Sequence, residues 1–190
     1  MAPESPAGLQ RKDAQRNRES ILRAARELFS HDHDVPLSEV ARKAGVGQAT
    51  LYRHFPDRDE LAAVLFGEQM DGLEELAARH ADEPDALFVV LRALVDSLLR
   101  FHGLVDCITA GPRNATMKAV LTRYNALVQR VVAGAKKAKL IRHDVTAEDV
   151  SLLVAAIAGC IERQRDAASR ASAAHRMLML AVEGLAVTAE

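Results

Sequence analysis

The chain predicts an all-α fold: a small three-helix domain built on a helix-turn-helix, followed by a larger helical domain. Three observations predict it. Apolar residues recur at the three- and four-residue spacing of amphipathic helices along nearly all of the 190 residues. Between Leu37 and Phe55, two short helical patterns flank the tight segment Ala44-Gly45-Val46-Gly47. Breakers such as Pro56, Asp82-Glu83-Pro84-Asp85 and Gly111-Pro112 divide the remainder into helix-length pieces. At 49% hydrophobic and 27% charged, the composition is that of a globular protein, with room for one larger or two small domains.

The opening segment, Met1 to Gly8, has two prolines and no apolar core, so residues 1–14 are expected to be a disordered arm and not a secretory signal. From Arg16 to Ser30, the residues Ile21, Leu22, Ala25, Leu28 and Phe29 line one face of a first helix, which closes the three-helix core. His31-Asp32-His33-Asp34 then breaks the helix. Imidazole and carboxylate both bind zinc or manganese, but adjacent loop side chains diverge, so a solvated connector without metal is expected.

In the next stretch, Leu37, Val40 and Ala41 form one short apolar face. Gly45 supplies a left-handed turn, Val46 fills the angle, and Leu51 and Phe55 resume the period. That is the pattern of a helix-turn-helix, whose second helix lies in the DNA major groove. Here the second helix carries Gln48, Ala49, Thr50, Tyr52, Arg53 and His54, with groups that read bases or grip phosphates. Ser38, Lys43, Gly47 and Arg58 complete the expected DNA-binding set. The net charge of −1 gives no global attraction for nucleic acid, so a local basic face is expected, fed by Arg11, Lys12, Arg16, Arg18, Arg23 and Arg26.

Pro56 ends the second helix of the motif, and Asp57 with Glu60 offers a capping box for a long fourth helix. The run A-x-x-A-G-V-x-x-A-T-L-Y-R-H-F-x-x-R-x-x-L, from Ala41 to Leu61, resembles the signature of the tetracycline-repressor (TetR) family of bacterial transcription regulators. The resemblance covers about Arg16 to Leu61. Gly47 stands where the family often has a serine that caps the helix or touches phosphate, and Ala49 replaces a frequent glycine with a methyl that can meet thymine. The resemblance implies a homodimeric, ligand-responsive regulator, more a repressor than an activator. It implies double-stranded palindromic operator DNA as partner and a small apolar effector. Residues 15–60 would form the DNA-binding domain, and residues 61–190 the helical domain for effector binding and dimerisation.

The fourth helix is expected over Arg58–Arg79, with Leu61, Val64, Leu65, Leu73 and Leu76 buried, as the mechanical link between domains. A wide apolar face over Asp85–Phe101 places the fifth helix centrally, and a short sixth follows from Val105. A seventh runs from about Arg113 to Lys139, where Lys136, Lys137 and Lys139 complement the helix dipole. Several of the chain's few aromatics, a methionine and isolated polar groups lie in this region. Phe88, Leu91, Phe101, His102, Cys107, Met117 and Tyr124 are therefore candidates to line an apolar pocket, although each also suits ordinary core filling.

Thr146 to Asp149 opens an eighth helix with an acidic first turn, and a ninth is expected from about Ser169 to Val187. Ala155, Ala158 and Gly159 on the eighth, with Ala174, Leu178, Ala181 and Leu185 on the ninth, would suit half of a four-helix dimer interface or an intramolecular core. Periodicity leaves both open, and the family resemblance favours the dimer. No Gly-rich phosphate loop, nucleophile elbow or helical His pair occurs, so neither an enzyme nor a cofactor is expected. The apolar run Leu152–Ile161 is far short of the roughly 20 residues of a membrane span, and a cytoplasmic location is expected. Cys107 and Cys160 lack metal or redox spacing and read as reduced thiols. The rival function is a helical module for small molecules or proteins that keeps the helix-turn-helix only as scaffold.

Overall fold

The computed structural model describes residues 6–30, 35–109 and 111–186. Among them the chain forms α1 (Pro6–Phe29), α2 (Leu37–Ala44), α3 (Gln48–His54), α4 (Arg58–Arg79), α5 (Ala86–Arg100), α6 (Val105–Thr109), α7 (Ala115–Lys137), α8 (Ala147–Glu162) and α9 (Ala167–Leu185). A 3-10 turn over His102–Leu104 joins α5 to α6. No helix of the described residues is long and apolar enough to cross a membrane. The His31–Asp34 segment considered for metal lies outside the described residues.

One boundary differs from expectation. The sequence reading put an arm through residue 14, yet α1 is already helical at Pro6. Proline at the first helical position costs no hydrogen bond, and Leu9-Gln10-Arg11-Lys12 are good helix formers, so residues 6–14 of the expected arm belong to the helix, while residues 1–5 lie outside the described residues.

The head is held by a compact apolar cluster. Ile21, Leu22, Ala25 and Phe29 of α1 bury against Val40 and Ala41 of α2, with Leu51 of α3 and Phe55 just beyond it. Gly45 ends α2 in the left-handed region at φ 70°, ψ 28°. Its N–H reaches the Arg42 carbonyl at 3.2 Å and the Val46 N–H reaches Ala41 at 3.0 Å, which satisfies two orphan carbonyls and swings the chain into α3. Val46 is half-buried against the cluster, as the turn grammar expects. A side chain at position 45 would meet no neighbour, so the backbone angle alone selects glycine there.

The body is layered around α5, which packs on α4, α7, α8 and α9. Its seven buried positions run from Leu87 to Leu98, because an apolar face that wide can only be covered from several sides. The fourth helix lies along α7, and Arg123 pins the pair: its guanidinium donates to both Glu74 oxygens, at 3.0 and 2.6 Å, and to Asp71 at 2.6 Å. This hydrogen bonding holds the Glu74 carboxyl below its usual range. Helix starts are capped, at Asp57 and Thr146 as the sequence suggests and at Asn114 in addition. Asp57 accepts from the Glu60 N–H at 2.7 Å, Asn114 from Met117 at 2.7 Å, and Thr146 with Asp149 closes a full capping box. At α4 the box is only half made, since the Glu60 carboxylate accepts from the Thr116 hydroxyl at 3.0 Å and so fastens α4 to α7.

Leu51 is fully buried at the centre of the head, and three short helices have little capacity to collapse around a hole. Leu51→Ala is expected to lower stability by roughly 2–5 kcal/mol. Urea unfolding followed by circular dichroism checks this, and a loss below about 1 kcal/mol would show that the head does not depend on that side chain.

Candidate nucleic-acid interface and the cavity behind it

The helical period divides α3 cleanly. Leu51 and Phe55 are 0% and 1% exposed, whereas Tyr52, directly between them in sequence, is 48% exposed. Gln48, Ala49, Tyr52 and Arg53 form the open face, and Thr50 and His54 sit at its half-buried edge. Gly47 caps the helix from an extended conformation without a side-chain hydrogen bond, because glycine has none to give. Space for a side chain exists there, so nothing in the packing requires glycine at 47. Ser38 is exposed on the first turn of α2.

Two members of the expected DNA-binding set are committed elsewhere. Lys43 pairs its ammonium with the Glu27 carboxylate of α1. Arg58 is directed inward: it donates to the Val35 carbonyl at 2.8 Å and to the Gly103 carbonyl at 2.5 Å, with its guanidinium 4.5 Å from the centre of the Phe29 ring. It therefore binds the head, through the end of α1 and the start of α2, to the 3-10 turn of the body. Sequence reasoning placed Arg58 on DNA because a cation beside the motif looks like a phosphate contact. The carbonyls that bind it lie 23 and 45 residues away, and no local pattern reveals them. Arg18, read only as part of a basic helix, has its guanidinium 5.5 Å from the centre of the Phe55 ring and braces α1 against the end of α3.

Behind this junction, α4 to α8 line a half-open cavity of about 320 Å³. Phe66, Gln69, Met70 and Leu73 of α4 form one wall, and Leu94, Ser97 and Leu98 of α5 another. Val105 and Ile108 of α6, Val120, Leu121 and Tyr124 of α7, and Ser151, Val154, Ala155 and Ala158 of α8 close it. Of the seven pocket residues expected from composition, only Tyr124 lines this space. Leu91, Phe101, His102, Cys107 and Met117 are buried core, and Phe88 packs on that core from the edge. Phe101 stands behind the lining, edge-on to Phe66 with ring centres 6.0 Å apart. The Cys107 thiol is pushed up to about 12, first by burial and then by the neighbouring Asp106 and Asp59, so it stays protonated. Composition selects bulky core fillers. The better signal was the opposite one, Gln69 and Ser97 as neutral polar residues inside otherwise apolar stripes.

Of the seven expected dimer residues, Ala158, Ala174, Leu178 and Leu185 are buried within the chain, Gly159 and Ala181 are half-buried, and Ala155 alone is exposed. The small-residue stripes mainly serve the packing of α8 on α9 and α5. The outer surface of those two helices instead presents Leu152 at 62%, Met179 at 54% and Leu180 at 45% exposed.

The model for bacterial regulatory proteins of the tetR family matches residues 21–65, and that for the C-terminal domain of SbtR-like transcriptional regulators matches residues 82–187. An HTH-type transcriptional regulator of Staphylococcus aureus is 31% identical over 107 residues, 53% of this chain and 58% of that protein. The matched region thus spans little more than half of these curated relatives. Among solved structures, the TetR transcriptional regulator SCO0520 of Streptomyces coelicolor superposes with a TM-score of 0.62 at 29% identity, over 90% of this chain and 99% of that one. The TetR transcription regulatory protein of Mycobacterium vanbaalenii gives 0.59 at 28% identity, over 94% and 99%.

Arg58→Ala removes two charge-assisted hydrogen bonds and a ring contact at the head–body junction, and is expected to destabilise the protein by roughly 2–4 kcal/mol. Arg53→Ala, on the open face, should stay within about 0.5 kcal/mol of the unchanged protein. Equal urea midpoints for the two variants would show that Arg58 is not a structural tether.

Proposed function

The chain belongs to the TetR family of bacterial regulatory proteins, and from that premise we propose that this transcriptional regulator is a ligand-responsive repressor that binds a palindromic operator as a homodimer. The observation that carries the DNA side is the split of α3: its core-facing residues are fully buried while Gln48, Ala49, Tyr52 and Arg53 stay open. Those four enter the major groove, with Thr50, His54, Ser38 and the backbone at Gly47 toward the phosphates. Tyr52, half exposed on this seven-residue helix, keeps its side chain available for DNA.

The dimer rests on the apolar outer face of α8 and α9, where Leu152, Met179 and Leu180 are left exposed by the described residues. A second copy related by two-fold symmetry covers it and sets two recognition helices about one turn of DNA apart, which makes the operator an inverted repeat. The ligand response rests on the cavity, whose wall includes α4 and α6. A ligand that displaces α6 moves the 3-10 turn that Arg58 holds, and one that displaces α4 moves the helix that directly follows α3.

Selection from a random duplex pool should return an inverted repeat, and fluorescence anisotropy on that sequence then tests the residues. Tyr52→Ala and Arg53→Ala should each weaken binding by roughly 1–3 kcal/mol with the fold intact, and loss of a phosphate contact should reduce the salt slope by about one. Unchanged affinity in both variants would remove α3 from the interface. For the dimer, Leu152→Glu combined with Met179→Glu should sediment as a monomer where the unchanged chain sediments as a dimer. A variant that still dimerises would place the interface elsewhere.

A further inference from the structure

The cavity has a chemical character that narrows what it can hold. Among the described residues no Asp, Glu, Lys, Arg or His side chain lines it, and all but four of the lining residues are apolar. The charged residues that border Gln69, Ser97 and Tyr124 are already paired. Glu68, next to Gln69, binds Arg26; Asp96, next to Ser97, faces His175 at 3.5 Å; and Arg123, next to Tyr124, is spent on Glu74 and Asp71. An ion entering this space would exchange water for hydrocarbon with no counter-charge to meet it.

The four polar groups are neutral, and their hydrogen bonds leave a specific remainder. The Ser151 hydroxyl donates to the Ala147 carbonyl at 3.0 Å. Tyr124 sits beside Ser151, and burial raises its phenol above the ordinary range, so it stays uncharged. The Ser97 hydroxyl donates to Gln69 Oε1 at 3.1 Å. That leaves the two Nε2 hydrogens of Gln69 with no acceptor among the described residues. If the amide is turned over, Nε2 serves Ser97 and Oε1 faces the cavity, and a ligand hydroxyl satisfies either arrangement.

We propose that the cavity takes an uncharged, mainly hydrocarbon molecule bearing a hydroxyl or carbonyl oxygen that hydrogen-bonds Gln69. At the roughly 30 Å³ that a small group occupies in a liquid, 320 Å³ accommodates on the order of ten to fifteen non-hydrogen atoms. Fatty carboxylates, alkylammonium ions and phosphorylated carriers find no counter-charge in this lining and are disfavoured. This rests on the ligand-responsive reading above and deepens it to a ligand class.

Isothermal titration calorimetry of the full chain without DNA tests it with four probes of one length: 1-octanol, 2-octanone, octanoate and octylammonium at neutral pH. The alcohol and ketone should bind, one molecule per chain, and both ions should be at least about tenfold weaker because each is buried uncompensated. Gln69→Leu keeps the volume and should cost the alcohol and ketone about fivefold, the worth of one neutral hydrogen bond. The ranking of the four probes on the unchanged protein needs no variant to fold. Either ion binding as tightly as the alcohol, no binding by any of the four, or full affinity in a folded Gln69→Leu protein would overturn the proposal. Anisotropy with operator DNA separates the two readings: an alcohol that binds selectively but leaves DNA affinity unchanged keeps the ligand class and defeats the ligand response. An ion that binds and releases DNA does the reverse.

Discussion

Arg58 sits where three elements meet, and its guanidinium is shared among the carbonyl of Val35, the carbonyl of Gly103 and the face of Phe29. Lysine could not replace it, because only a planar fork can serve two separated carbonyls and lie over a ring together. The head has a small core, and α2 and α3 are too short to persist by themselves. Its orientation depends on this fork, on the Asp57 cap one residue earlier, and on the Arg26–Glu68 pair that ties α1 to α4. The residue that begins α4 is thus also the one that senses the turn preceding α6.

That placement gives the molecule two mechanical routes between cavity and DNA face. Along α4, Gln69, Met70 and Leu73 touch the cavity, and the same helix follows α3 after only three connecting residues. Through α6, Val105 and Ile108 touch the cavity, and the adjoining turn is held by Arg58. α4 is fixed on α7 by Arg123 and Thr116, and on the segment just before α7 by Arg113, which reaches Asp59 at 3.4 Å. A helix clamped along its length transmits displacement as a rigid rod instead of bending it away.

Much of the fold was legible in the sequence. The fourth helix is expected from about Arg58 to Arg79 and spans those residues, and Leu51 and Phe55 are expected in the core with Tyr52 and Arg53 outside, because the helical period and Pro56 are local signals. The signature from Ala41 to Leu61 led to the family that the two matching domain models establish. The cavity was not legible in the same way. Aromatic and sulfur side chains drew attention to Phe101, Cys107 and Met117, which fill space, while the lining falls on ordinary leucines and valines beside Gln69 and Ser97.

The difference follows from the range of each interaction. A helix start, a left-handed glycine or an apolar stripe is decided within a few residues, so the sequence alone determined the helices, the turn at Gly45 and the open face of α3. Whether Arg58 meets phosphate or carbonyl, and whether the stripes of α8 and α9 face each other or a second chain, depends on partners 20 to 80 residues away. Those choices were made only by the tertiary structure, because packing and hydrogen-bond satisfaction are settled in space, where one side chain can be spent only once.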